Sequence, residues 1–394
     1  MKKLIALLLT VALMATLCVP TIAADCKAKK EYKVYTCVGD SAAAGVGQPK
    51  DGMENKFDYT GNDFAGYVAK LTGKDSTLVY RGYKPEVVPT AYPALVANAL
   101  GAEVNICARS AMRALELRYM LTGVFNDPDP SHAYTSKYYD EDDNGFTMSD
   151  LDKINNLYQF RDKIEEADII TIGLGSNDVI TPTVSVLATL MGAGTVDPGI
   201  SATQEKLGAT GIMGAALGKL VEILHTAEKY TALIKNLFDV FYENFVPFKE
   251  NFEAVIDEIY KINPDATVLC VGVYNPFNNT MISANSSLKL DIAAAPFVNM
   301  LNTYFRSLSL KYGSSLIYVD VTDTPLYDAV LDDPTYMSYV SMKSHPTIAG
   351  YQYVAGKILD RIPGYSTKAD CCKAAGTICT AILAAHVIHM MIQK

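Results

Sequence analysis

The stretch Tyr32-Lys-Val-Tyr-Thr-Cys-Val38-Gly39-Asp40-Ser41-Ala-Ala-Ala-Gly45 decides how this chain is read. Seven residues rich in Val, Tyr and Thr make a short run of strand character. A Gly-Asp turn signal ends it, and a helix start follows at once. A strand that passes through a tight turn into a helix is the opening of a βαβ unit. Four more runs have the same character: Glu103–Cys107, Asp168–Leu174, Thr267–Val273 and Leu316–Val321. Each leads into a helical or mixed segment. Apolar runs of this kind predict strands buried on both faces. The expected fold class is therefore α/β, a three-layer α/β/α sandwich around a five-stranded parallel sheet. Ligands of such sheets sit outside the carboxyl ends of the strands, so the chemistry is sought there.

Those ends read Gly39-Asp40-Ser41 after the first run, Ala108-Arg109-Ser110-Ala111 after the second and Gly175-Ser176-Asn177-Asp178 after the third. Tyr274-Asn275-Pro276-Phe277 follows the fourth. Beyond the fifth, a loop reaches Ser344-His345-Pro346-Thr347 and opens the last helix. A serine is a nucleophile only with a base in hydrogen-bond reach, and the oxyanion it creates needs aimed donors. Ser41 offers a hydroxyl and its own amide, and His345 is the candidate base. Asn177 offers a side-chain amide, and Ser110 or a neighbour offers a backbone amide. Taken alone, Ser41 at a helix start reads equally as an ordinary N-cap. Asp40 reads as a turn residue bonding nearby amides.

The rest of the chain bounds this reading. It has 394 residues, with 34 Lys+Arg against 43 Asp+Glu. The resulting acidic charge argues against nucleic acid as a partner, since phosphate binding needs a basic face. Lys2 and Lys3, an apolar run from Leu4 to Leu17 and the small residues Ala23 and Ala24 follow the order of a secretory signal peptide, residues 1–24. The expected localisation is secreted or cell-surface. Removing Lys2 and Lys3 moves the formal charge from −9 to −11. No composition break marks a linker, so one domain over residues 25–365 is expected, with insertions near 48–87, 126–149 and 180–242. An apolar tail follows at 366–394. It either packs as a helix on protein or associates with a membrane.

Gly39-Asp40-Ser41, Gly175-Ser176-Asn177-Asp178 and His345-Pro346, in this order, resemble the SGNH (GDSL-type) esterases and lipases. The stretch Tyr92-Pro-Ala-Leu-Val-Ala-Asn-Ala-Leu-Gly101 is also similar to bacterial members. The resemblance spans roughly Tyr32 to Arg361, without the insertions. It implies a flavodoxin-like hydrolase fold and a Ser-His acyl-enzyme mechanism. Ser41 would be the nucleophile, His345 the base, and Ser41, Ser110 and Asn177 the oxyanion donors, with motif support from Gly39, Asp40 and Gly175. The family places Gly where Ser110 aligns, so either the pocket is more crowded here or the alignment shifts by a residue. It also places Asp three residues before the histidine, where this chain has Met342. Three readings stay open. The backbone carbonyl of Met342 orients the imidazole, or Asp332 or Asp333 does so from the preceding loop, or the site is weak or dead.

The implied chemistry needs no cofactor and no metal. The expected partner is an ester substrate. Acyl esters or lipids are favoured over acetylated sugars, because Val184-Ser-Val-Leu-Ala-Thr-Leu-Met191 and Gly211-Ile-Met-Gly-Ala-Ala-Leu-Gly218 are apolar enough to line an acyl site. A carbohydrate O-acetyl esterase and a non-catalytic surface binding protein are the alternatives. Residues 140–152 resemble half of a calcium loop but have Leu151 at the position of the closing carboxylate. Cys37, Cys107 and Cys270 fall in strands as apolar fillers. In an oxidising compartment Cys26 is placed to pair with Cys371 or Cys372.

Overall fold

Alternate residues of the first strand, β1 (Val34–Gly39), face two different interiors. Val38 joins an aromatic and aliphatic core on one side, where the Thr36 hydroxyl also donates to the Lys163 carbonyl at 2.7 Å. Tyr35 and Cys37 face the other side. There the Tyr35 hydroxyl lies 2.7 Å from Thr171 Oγ1, and Cys37 Sγ lies 3.3 Å from the Tyr92 hydroxyl. A strand buried on both faces needs a helical layer on each, and both are present.

The structure, a computed structural model, describes residues 31–48, 82, 85–124, 152, 155–156, 158–183, 227–281, 291–330 and 344–365. After β1 come α1 (Ser41–Ala44), α2 (Tyr92–Leu100), β2 (Glu103–Ala108), α3 (Ala114–Thr122), α4 (Phe160–Glu165) and β3 (Ile169–Gly173). A single π-helical turn, Ser176–Ile180, follows β3. Then come α5 (Ala227–Ile262), β4 (Thr267–Val271), α6 (Asp291–Tyr312), β5 (Leu316–Val319) and α7 (Ile348–Leu359). The five strands form one parallel sheet in the order β2-β1-β3-β4-β5. All five runs expected from the sequence are in it, with ends shifted by one or two residues. Thr280–Met281 also pairs in parallel with Ala329–Val330, apart from the main sheet.

Core residues of α3, α4, α5 and α6 pack together with Val38, Cys107, Ile170, Ile172, Val268 and Cys270 on one face. On the opposite face Tyr92 of α2 stacks on Tyr351 of α7, with ring centroids 6.4 Å apart. The first layer is knitted by rings. Phe241 meets Phe297 at 5.4 Å, Phe245 meets Tyr304 at 5.4 Å and Phe252 meets Phe305 at 5.1 Å. Such pairs add about 0.5–1.5 kcal/mol each beyond the area they bury. The partners advance together along α5 and α6, so these two helices run side by side in the same direction. The segment read as an insertion over 180–242 is in part this layer, because α5 starts at Ala227 and continues for 36 residues.

By compactness the chain divides into two units, Tyr32–Ile358 and the pair Met1–Glu31 with Leu359–Lys394. The sheet lies in the first. The described part of the second is Glu31 and a turn after α7, in which the Ile362 amide donates to the Leu359 carbonyl at 3.2 Å. The signal-like segment, the acidic 140–152 loop, Cys26, Cys371, Cys372 and the apolar tail lie outside the described residues. Cys37, Cys107 and Cys270 are buried free thiols. Burial raises the Cys37 pKa to about 11, which keeps it an unreactive thiol at neutral pH.

Candidate active site

In a sheet of order 2-1-3-4-5 the crossovers from β1 and β3 leave on opposite sides, and a crevice opens between their carboxyl ends. Ser41 is the second residue after β1, and Asn177 is the fourth after β3. Two of the three motifs are therefore placed at the topological switch by strand order alone.

Ser41 begins α1, a single turn of four residues, and its side chain is half-buried. So short a helix carries little dipole, and what matters locally is where the amides point. Asp40, not Ser41, is the cap: its Oδ1 accepts from the Ala42 amide at 3.0 Å. The Ser41 amide donates to no group among the described residues. Gly39 is required just before, because a Cβ there would sit 2.4 Å from the Gly173 carbonyl oxygen and 2.6 Å from Ala43 Cβ. Serine is thus presented at a point where β1, β3 and α1 come as close as backbone allows.

The loop after β2 is held by the turn after β3. Asn177 Nδ2 donates to the Met112 carbonyl at 3.2 Å. Asp178 Oδ1 accepts from the Ala114 amide at 2.9 Å. These two adjacent side chains bracket residues 112–114. A side-chain amide has two N–H bonds, so Asn177 keeps a second donor once Met112 has used the first. Just before the bracketed residues, the Ser110 amide is already engaged, donating to the Gly82 carbonyl at 2.7 Å. The next residue, Ala111, has φ +57°, the left-handed region that favours glycine, and its amide donates to nothing among the described residues. The glycine-like position of this loop is therefore Ala111, one residue beyond the one aligned from sequence. Nothing in the sequence marks it, since an amide donor needs no particular side chain.

His345 lies half-buried in a turn before α7. The neighbouring Pro346 forms an antiparallel bridge with Leu326, and its carbonyl accepts from Gln48 Nε2 at 3.1 Å. The Tyr351 hydroxyl donates to the Val46 carbonyl at 3.0 Å. The histidine turn and α7 are thus each fastened at one point to the segment that leaves Ser41. Asp40, Ala42, Tyr92, Ser176, Pro346 and Tyr351 line a cavity of about 30 Å³ at this end of the sheet, room for one or two waters. Met342, Asp332 and Asp333 lie outside the described residues.

Two carboxyls here are unusual. Burial pushes the Asp40 pKa up to about 7, with the Ala42 amide pulling the other way. Burial likewise lifts Asp178 to about 7 against the Ala114 amide. Asp178 Oδ2 is buried with no hydrogen-bond partner among the described residues. Among those residues no three His, Cys, Asp or Glu side chains gather as metal ligands. No helix among them is long and apolar enough to cross a membrane.

No protein-family model and no curated protein sequence matches the chain. Among solved structures, the chain is similar to an extracellular lipase from Streptomyces rimosus, at 16% identity and TM-score 0.41, covering 84% of this chain and 100% of that one. It is similar to phospholipase A1 from Streptomyces albidoflavus at 12% identity and TM-score 0.38, covering 84% and 100%. It is also similar to a family two carbohydrate esterase from Clostridium thermocellum at 13% identity and TM-score 0.30, covering 83% of this chain and 62% of the other.

Proposed function

We propose that this chain is an exported serine hydrolase of carboxylic esters, of the SGNH type that its motifs resemble. The observation that carries the reading is the fastening of the Ser41 and His345 segments to each other, through Gln48 to Pro346 and Tyr351 to Val46, at the sheet's carboxyl edge. This tie between segments about 300 positions apart in sequence supports Ser41 and His345 acting together.

Ser41 Oγ attacks the ester carbonyl carbon while His345 takes its proton. The tetrahedral oxyanion is held by the Ser41 amide, the Ala111 amide and the second N–H of Asn177. In this reading Ala111 replaces Ser110, whose amide is committed to Gly82. His345 returns the proton to the leaving alcohol, and the acyl group stays on Ser41. A water deprotonated by His345 then releases the acid and restores the serine. The imidazole is oriented by the Met342 carbonyl or by Asp332 or Asp333, and Met342→Asp separates these. A large rate gain means that no acid fills the role in the natural chain. The apolar content of residues 180–226 supports acyl esters or lipids as substrates over acetylated sugars. The basic-apolar-small order of residues 1–24 supports export.

The test is turnover of a nitrophenyl ester series from acetate to long acyl chains. Ser41→Ala and His345→Ala should each lose about a thousandfold or more in kcat. Preference for medium or long chains supports the acyl-ester reading, and strict acetate preference overturns that part of it. Turnover unchanged by Ser41→Ala overturns the whole.

A further inference from the structure

We infer that Gln48 is a positioning residue that fixes the histidine turn against the nucleophile segment; this rests on the roles given to Ser41 and His345 above. Gln48 has 0% of its surface exposed. Its Nε2 donates to the Pro346 carbonyl at 3.1 Å, across 298 positions of sequence. Its Oε1 is buried and has no partner among the described residues. A buried amide that satisfies only half of itself destabilises relative to a leucine or methionine of the same size. The bond it does make is the gain that offsets this.

That bond falls on a residue that has no backbone donor of its own. Pro346 has no N–H, so at the residue beside His345 the backbone offers an acceptor only. Gln48 supplies the donor. Elsewhere the turn is tied to neighbours on its own side, with the Thr347 amide donating to the Pro325 carbonyl at 3.3 Å and Thr347 Oγ1 accepting from Gly350 at 3.0 Å. The bonds from Gln48 to Pro346 and from Tyr351 to Val46 reach across to the segment that carries Ser41. Gly45, with φ +81°, closes α1, and the chain turns there so that Val46 and Gln48 face α7. Whichever group orients the imidazole, the backbone of the turn carries His345, and Gln48 ties that backbone from the nucleophile's side.

Gln48→Met keeps the shape and removes both amide hydrogens. With nitrophenyl ester turnover as the assay, kcat falls roughly ten- to a hundredfold, the effect of an ångström-scale displacement of a catalytic group. KM stays within about twofold because substrate contacts are untouched. The rate of fluorophosphonate labelling at Ser41 falls in parallel. Circular dichroism checks the fold, and Gln48→Asn, one methylene too short to reach Pro346, is read if Gln48→Met does not fold. Wild-type kcat and labelling in a folded variant overturn the inference and leave the hydrolase reading standing. A rise in KM at constant kcat overturns it too, and so does failure of both variants to fold, which makes Gln48 a folding residue. Wild-type protein that takes no label at Ser41 overturns the hydrolase reading itself.

Discussion

Asp40 and Ser41 are adjacent, yet one is buried and the other half-open, and that contrast sets the division of labour at the proposed nucleophile. Asp40 ties down the turn by accepting the Ala42 amide, and Ser41 keeps a half-open side chain and an amide that donates to nothing among the described residues. Both were legible in the sequence, because a Gly-Asp-Ser turn between a strand and a helix is local. Ala111 was not, because only its backbone angle distinguishes it. A left-handed alanine costs about 1–2 kcal/mol relative to the right-handed conformation, and a β-branched residue fits worse still. Ala111→Gly should therefore be neutral or stabilising by up to about 1 kcal/mol in urea titration. Ala111→Val should cost about 2 kcal/mol or more and reduce kcat, because the amide moves. Equal stability of the two variants would contradict the assignment.

The buried carboxyls give stability an unusual pH dependence. Asp40 and Asp178 have folded-state pKa values near 7, raised above the unfolded value near 4. Between those values the folded state holds protons that the unfolded state has released, so stability falls as pH rises from about 4 to about 7 and then levels. A tenfold difference in proton affinity between the folded and unfolded chain is worth about 1.4 kcal/mol. Asp40→Asn keeps an acceptor for the Ala42 amide and should flatten part of this slope in urea titrations run at several pH values. A slope unchanged in the variant would show that Asp40 does not titrate in that window.

At the scale of elements, the turn after β3 does more than end a strand. Its π-helical geometry sets Asn177 and Asp178 side by side toward the loop after β2, the first bonding a carbonyl and the second an amide two residues on. Asp178→Ala frees the first amide of α3 and should cost about 1–2 kcal/mol, the usual worth of a helix cap. It should also lower kcat more than it raises KM, because the loop bearing Ala111 loosens. The strands were easy to read, since burial on both faces leaves no polar alternation to confuse them. Helix α5 was harder. Its first sixteen residues belong to a stretch read as insertion, and Pro247 interrupts its interior, where proline ordinarily stops a helix. Rings at Phe241, Phe245, Phe248 and Phe252 hold it to α6 and outweigh that local preference.

On the scale of the molecule, strand order decides which residues meet at the carboxyl edge. Sequence supplies five strands and the residues at their ends, but not which strands are neighbours. Placing β1 between β2 and β3 brings three donor-bearing ends together, and α7 then folds back to bring His345 to the same edge. The central claim is that this edge carries a nucleophilic serine. Its most direct test is intact-mass and peptide mapping after treatment with a fluorophosphonate probe. One adduct per chain is predicted, on Ser41, abolished by Ser41→Ala and slowed by His345→Ala. A folded chain that takes no adduct, or one whose adduct survives Ser41→Ala, would contradict it.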